Sequence, residues 1–210
     1  DPSHFTPLGD ELYFSARDAS NIRKLWRVTA QSGDDVLNIE TMVNSNGTNV
    51  LEPRELTVVG DRLFLSADDP TFGRELWQSD GTKNGTLRLS DINVAGDASP
   101  RDLTVAGETL YFTATDRACL RTEVGRELWR FDQAGVSLAD NIALGTIDSN
   151  PADLTAVTGG MILFNAREDS DGPRKLMAYE PIEQHTSVID DQQGAGGSSL
   201  TRQFVSMEDT

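Results

Sequence analysis

Hydrophobic residues fall along this chain in short alternating runs. In the stretch from 53 to 99, residues 56–59 read Leu–Thr–Val–Val, and residues 62–67 set Leu63 and Leu65 on one face and Phe64 on the other. A period of two over four to eight residues marks a strand with two unlike faces. Residues 74–79, carrying Leu76 and Trp77, make a third strand, and 86–89 a fourth. Turn formers separate them: Gly60–Asp61, a loop over 68–72 with Pro70, and Asp80–Gly81–Thr82–Lys83–Asn84–Gly85. Glycine accepts the positive φ of a tight hairpin, so Gly60–Asp61 predicts a two-residue turn. Residues 91–99 then cross to the next stretch. No segment sustains a 3.6-residue period, so no sizeable helix is predicted.

The same pattern returns four times. Pro53–Arg54–Glu55–Leu56–Thr57–Val58 is echoed by Pro100–Arg101–Asp102–Leu103–Thr104–Val105, and Gly–Arg–Glu–Leu–Trp stands at both 73–77 and 125–129. An alanine closes each second strand, at Ala16, Ala67, Ala114 and Ala166, with spacings of 51, 47 and 52 residues. Each is preceded, seven residues earlier, by Gly9, Gly60, Gly107 or Gly159, and followed, two residues later, by Asp18, Asp69, Asp116 or Glu168. One slot holds Trp26, Trp77 and Trp129, all three tryptophans of the chain, and Met177 in the last copy. Fourth strands of the other copies are predicted near 36–39, 136–139 and 187–189.

Four short antiparallel strands at a fixed period of about fifty residues predict an all-β fold of the β-propeller kind. A β-sandwich is the alternative, but it supplies no reason for the period. The predicted domain spans 1–190, with four four-stranded blades at approximately 1–50, 51–98, 99–149 and 150–190. It is either a closed four-bladed ring or part of a larger one; an innermost strand already present around residues 5–8 favours four. Residues 191–210 are a C-terminal tail or the start of a fifth repeat, since Ser198–Ser199–Leu200–Thr201 resembles a repeat opening. Each blade is too thin to bury both faces, so Leu63, Leu76, Trp77 and their equivalents are predicted to pack between sheets.

Charge narrows the partners. The chain carries 34 acidic residues against 18 basic ones, a net charge of −16 over 210 residues. Such a surface repels nucleic acid and anionic membranes; it serves solubility, or suits a protein partner with a basic surface or one bridged by divalent cations. No apolar run approaches the ~20 residues of a membrane-spanning helix. The single cysteine, Cys119, excludes an intrachain disulfide. No signal peptide is present, and a start at Asp1 without Met reads as that of a processed chain, which favours an extracytoplasmic location: periplasmic, cell surface or secreted.

The stretch Gly73–Arg74–Glu75–Leu76–Trp77–Gln78–Ser79–Asp80–Gly81–Thr82 resembles the bacterial ELWxxDGT repeat. Leu89–Ser90–Asp91–Ile92 and Leu103–Thr104 with Gly107 and Leu110–Tyr111–Phe112 fit its flanks. Only the second copy carries the full motif: the first loses Asp–Gly–Thr after Trp26, the third runs Arg130–Phe131–Asp132–Gln133 after Trp129, and the fourth reads Lys175–Leu176–Met177. The resemblance implies a secreted or cell-surface protein with a propeller-like array and no catalytic residue. Ser79–Asp80–Gly81–Thr82 also resembles the Asp-box of sialidase propellers, a structural turn.

Candidates for chemistry lie where the copies differ. Asp169–Ser170–Asp171–Gly172, with Glu168 beside it, is the best candidate metal turn. Hard cations take several oxygen ligands, and Asp-x-Asp-Gly bends carboxylates toward one point, so calcium is the ion it would take. No motif requires a cofactor. The acids Asp18, Asp69, Asp116 and Glu168 form either a charged rim or a set of loop caps, in which the carboxylate accepts backbone N–H bonds. Residues Arg117, Cys119, Leu120 and Arg121 belong to an insertion peculiar to the third copy and are the candidate partner-contact loop. His4 and His185 have no neighbouring nucleophile pattern. Asn46–Gly47–Thr48 and Asn84–Gly85–Thr86 fit a glycosylation sequon but read as hairpin turns. The tryptophan slot reads as core rather than a sugar-binding ring.

The expected function is therefore a non-catalytic extracytoplasmic module that binds another protein, an accessory subunit of a surface or membrane-associated complex. The alternatives are a calcium-dependent adhesin or carbohydrate binder, and a hydrolase using loop carboxylates.

Overall fold

A computed structural model describes residues 1–30, 37–94, 96–117 and 124–189. They form antiparallel strands in four consecutive units. The first holds β1 (Ser3–Leu8), β2 (Glu11–Arg17), β3 (Arg23–Ala30) and β4 (Leu37–Thr41). The second holds β5 (Leu51–Val59), β6 (Arg62–Asp69), β7 (Gly73–Ser79) and β8 (Leu87–Arg88). The third holds β9 (Arg101–Ala106), β10 (Thr109–Asp116), β11 (Val124–Asp132) and β12 (Gly135–Asp140). The fourth holds β13 (Ala152–Ala156), β14 (Ile162–Ala166), β15 (Lys175–Glu180) and β16 (His185–Val188). Each unit is a meander; a single pair, Lys24 with Leu51, links the first two into one eight-stranded sheet.

The first hairpin of three units closes on the expected glycine. Leu8 pairs with Glu11, Val59 with Arg62 and Ala106 with Thr109, around Gly9, Gly60 and Gly107 at φ of +58°, +59° and +63°. In the fourth unit a single 3₁₀ turn, Thr158–Gly160, does this instead. Two predicted strands change length. β8 shrinks to two residues because the Thr86 hydroxyl is held at the turn, 2.7 Å from both Ser79 Oγ and the Thr82 carbonyl. β5 starts at Leu51, five residues before its predicted start, by taking two register shifts that a proline-containing strand needs.

Period-two alternation gives each unit two faces, here called leading (toward the preceding unit) and trailing (toward the next). Leading residues Leu63, Leu65, Ala67 and Trp77 pack on trailing residues Tyr13 and Leu25 of the first unit. Leading Leu110, Phe112, Ala114 and Trp129 pack on trailing Phe64 and Leu76. Leading Ile162, Phe164, Ala166 and Met177 pack on trailing Tyr111 and Leu128. The marker alanine has a second use: the indole N–H of Trp26, Trp77 and Trp129 donates to the carbonyl of Ala16, Ala67 and Ala114 at 2.9, 3.2 and 3.1 Å. A buried indole needs such an acceptor.

The inner strands β1, β5, β9 and β13 neighbour one another in that succession, and among the described residues no comparable packing joins β13 back to β1. Among the described residues packing runs from each unit to the next, and no closed four-bladed ring is shown. Side-chain exposure agrees: Phe112 and Phe164 are 0% and 1% exposed, whereas Phe14, at the same position of the first unit, is only half-buried. Phe112→Ala is expected to lower stability by about 3–5 kcal/mol, and Phe14→Ala by less than half as much, in urea unfolding followed by tryptophan fluorescence.

Candidate functional site

The motif glutamate occupies a place that its charge hides in the sequence. Glu75 and Glu127 are 0% exposed, each in the third strand of its unit. Glu127 accepts the backbone N–H of Ile142 (2.9 Å), the N–H of Ser149 (3.1 Å) and the Ser149 hydroxyl (2.6 Å). Glu75 accepts the N–H of Ile92 at 3.0 Å. Each carboxylate therefore fastens the crossover that leads to the next unit. Burial raises both carboxyl groups to about 7 against the lowering effect of these donors. In the first and last units lysine stands instead: Lys24 pairs with Asp18 at 2.6 Å, and Lys175 pairs with Glu168.

The motif arginine acts beside it. Arg23, Arg74, Arg126 and Arg174 each donate to the carbonyl of the residue preceding a proline, namely Asp1, Glu52, Ser99 and Asn150, at 3.3, 2.9, 3.0 and 2.7 Å. These acceptors open the inner strands, and the backbone there is unusual. Glu52, Ser99 and Asn150 have φ of +46°, +48° and +47°; two residues after each proline, His4, Glu55, Asp102 and Asp153 have φ of +56°, +59°, +55° and +58°. A left-handed conformation in a non-glycine residue costs roughly 1–2 kcal/mol. Such outliers persist where surrounding contacts fix them and often mark functional positions.

Of the left-handed residues two places after a proline, three are acids on consecutive inner strands: Glu55, Asp102 and Asp153. The Glu55 carboxylate accepts the Asp102 N–H at 3.0 Å, so it reaches across to the next unit. The Asp102 carboxyl lies above the usual carboxylate range because of burial, and then because the charges of Glu55 and Asp153 face it. Asp153 accepts a hydrogen bond from the Asn165 amide. This row of like charges along the inner edge is the candidate binding surface. Its sequence signal is an acid two residues after Pro53, Pro100 and Pro151, each at a register shift of its inner strand that strict alternation does not foretell.

The residues singled out in the sequence lie in loops, turns and core. Asp18 accepts the N–H groups of Ser20 and Ile22 (2.8 and 3.1 Å), and Asp69 those of Thr71 and Phe72 (2.8 and 3.2 Å), so both cap their own loops. Asp169 likewise accepts from Asp171 (3.2 Å) and Gly172 within its own turn, while Glu168 turns to Lys175. No group of three or more His, Cys, Asp or Glu stands placed to hold a metal ion among the described residues. In the Asp80 turn, the carboxylate accepts the Thr82 N–H and hydroxyl at 2.8 and 2.7 Å. Arg117 pairs with Asp148 at 3.1 Å; Cys119, Leu120 and Arg121 lie outside the described residues. Trp77 and Trp129, at 3% and 9% exposure, are core. Met177 lines a cavity of about 190 Å³ between the third and fourth units, with Asp140, Asn141, Glu168, His185 and Thr186. Among the described residues no helix is long and apolar enough to cross a membrane.

No protein-family model matches the chain, and no curated protein matches its sequence. Solved structures do share its shape. A puromycin-hydrolyzing peptidase from Mycobacterium tuberculosis matches at a TM-score of 0.58 and 11% identity, over 94% of this chain and 30% of that one. A puromycin hydrolase mutant complexed with PGG matches at 0.57 and 12%, over 91% of this chain and 28% of that one. TolB from Acinetobacter baumannii gives 0.49 and 13%, over 86% and 40%. The chain spans less than half the length of each. The likeness is one of fold: an all-β, propeller-like array of antiparallel sheets.

The two buried glutamates have a pH signature. Unfolded, their carboxyl groups ionise near 4.5; folded, near 7. Between these values the folded chain holds more protons, so stability falls as pH rises through the window and levels off above it. Each group contributes at most about 3 kcal/mol to that fall. Glu75→Gln and Glu127→Gln are each expected to flatten the slope between pH 5 and 8 relative to the parent in urea titrations, the double variant most.

Proposed function

We propose that this chain is a non-catalytic, extracytoplasmic binding module, of the kind the ELWxxDGT resemblance implies, which receives a basic segment of a protein partner along its inner-strand edge. The observation that carries this reading is the convergence of Glu55, Asp102 and Asp153 from three successive inner strands, with burial and mutual repulsion raising the middle carboxyl. Like charges placed together in a partly buried row are relieved by a cation, and lysine or arginine side chains of an extended segment supply several at once. A net charge of −16 steers such a partner toward the chain. The buried motif carboxylates support a binding role too: Glu75 and Glu127 are sealed under separate crossovers and hold backbone, so they share no open pocket in which substrate could meet them. The calcium and hydrolase readings have no comparable support.

The test uses a fluorescent octalysine peptide and the intact chain in anisotropy titrations. The triple variant Glu55→Gln, Asp102→Asn, Asp153→Asn is expected to bind at least tenfold more weakly, equivalent to about 1.4 kcal/mol. A control that neutralises Asp10, Asp61 and Glu108 at the exposed hairpin turns changes net charge equally and is expected to lose far less. Equal losses in the two variants would reduce the effect to bulk charge and overturn the proposal.

A further inference from the structure

The last two junctions between units are filled differently. Between the second and third units, Trp129, paired with Leu138 on the neighbouring strand, shares a core with Ile92 of the preceding crossover and is 9% exposed. Between the third and fourth units the corresponding places are held by Met177, paired with Val188, and by Ile142. These three residues line the cavity of about 190 Å³ at that junction. Methionine carries no ring, so walls that enclose an indole at one junction border open space at the other. An apolar cavity of about 150 Å³ accepts benzene, so this one has room for a single ring and a short arm.

The polar part of the lining sets the charge of that arm. Asp140 and Glu168 both line the cavity, and among the described residues no lysine or arginine does. Glu168 is exposed and also pairs with Lys175. Asp140 accepts the Thr186 N–H at 2.8 Å with one oxygen, and its second oxygen remains to accept. Two further lining residues hold an enclosed oxygen without a hydrogen-bond partner, Asn141 Oδ1 and Thr186 Oγ1. Enclosed polar atoms are nearly always paired, so each exception calls for an account. A cationic donor suits all of these oxygens, whereas an anion would meet like charge. We propose that the cavity is a binding site for a small aromatic amine, a single ring bearing a protonated amino group on a short chain. The ring takes the place that Trp129 has at the preceding junction, and the ammonium group donates toward Asp140 and Asn141. The site is separate from the inner-strand edge, since its residues come from the end of β12 and the crossover after it, the loop after β14, and β15 and β16.

Phenethylamine is the probe, titrated into the intact chain at neutral pH and followed by protein-observed NMR. The expected result is saturable shifts at the lining residues, with a Kd of about 1 mM or tighter. Phenylethanol keeps the ring without the charge, and butylammonium keeps the charge without the ring; each is expected to bind at least about fivefold more weakly. Met177→Trp places the ring on the protein itself, as the other three units do, and should abolish phenethylamine binding while keeping the parent's thermal melt. Asp140→Asn, which retains an acceptor for the Thr186 N–H, should weaken binding of the amine and leave that of phenylethanol unchanged. Shifts that do not saturate, or an affinity unchanged in Met177→Trp, would overturn the proposal. So would phenylethanol or butylammonium binding as tightly as phenethylamine, the first showing that the cavity takes no charge and the second that bulk charge alone attracts the amine.

Discussion

A four-stranded sheet has two faces and cannot cover either by itself; the architecture of this chain follows from that shortage. Every large buried side chain of the cores belongs to a junction between units rather than to the interior of one. Tyr13 and Leu25 are hidden only because Leu63, Leu65 and Trp77 lie on them, and Leu110 and Phe112 only because Phe64 and Leu76 do. Burial of an aromatic or leucine side chain is worth about 1.5–3 kcal/mol, so most of the cohesion is nearest-neighbour in kind, as in other repeat arrays. The crossovers must then be held in place, or the faces would slide. That is the task of the motif's charged pair: arginine grips the carbonyl before the inner-strand proline, and glutamate, where present, grips the N–H groups of the crossover.

Much of this was legible in the sequence because it rests on period and on turn chemistry. The marker alanine, the hairpin glycine and the tryptophan slot located every unit, and their recurrence gave the reason: the indole donates to that alanine's carbonyl. What escaped was whatever depends on where a polar side chain ends. Glu75 and Glu127 each follow an arginine in a strand, a position that reads as solvent-facing; only the crossover folding back shows the carboxylate to be enclosed. The inner-edge acids were hidden by a bulge, since a strand of strict alternation does not bring Glu55, Asp102 and Asp153 to one edge with their backbones left-handed. The loop acids Asp18 and Asp69 showed the opposite outcome, their carboxylates taken up by local N–H groups as loop chemistry predicts.

The departures among the four units carry the remaining meaning. The inner two units keep glutamate at the crossover and bury both faces; the outer two carry lysine there and leave one face open. Met177 in the tryptophan slot provides no indole donor for Ala166 and lines the cavity beside the fourth unit. Among the described residues the repeat is thus most regular where it is enclosed and most altered in its first and fourth units.

Amide hydrogen exchange at low protein concentration tests the central claim, that cohesion lies between units and not within them. It predicts slowest exchange in β6, β7, β10 and β11, the strands covered on both faces, with β2 and β3 of the first unit and β15 of the fourth opening earlier. Protection in β2 and β3 equal to or greater than that in β10 and β11 would contradict it.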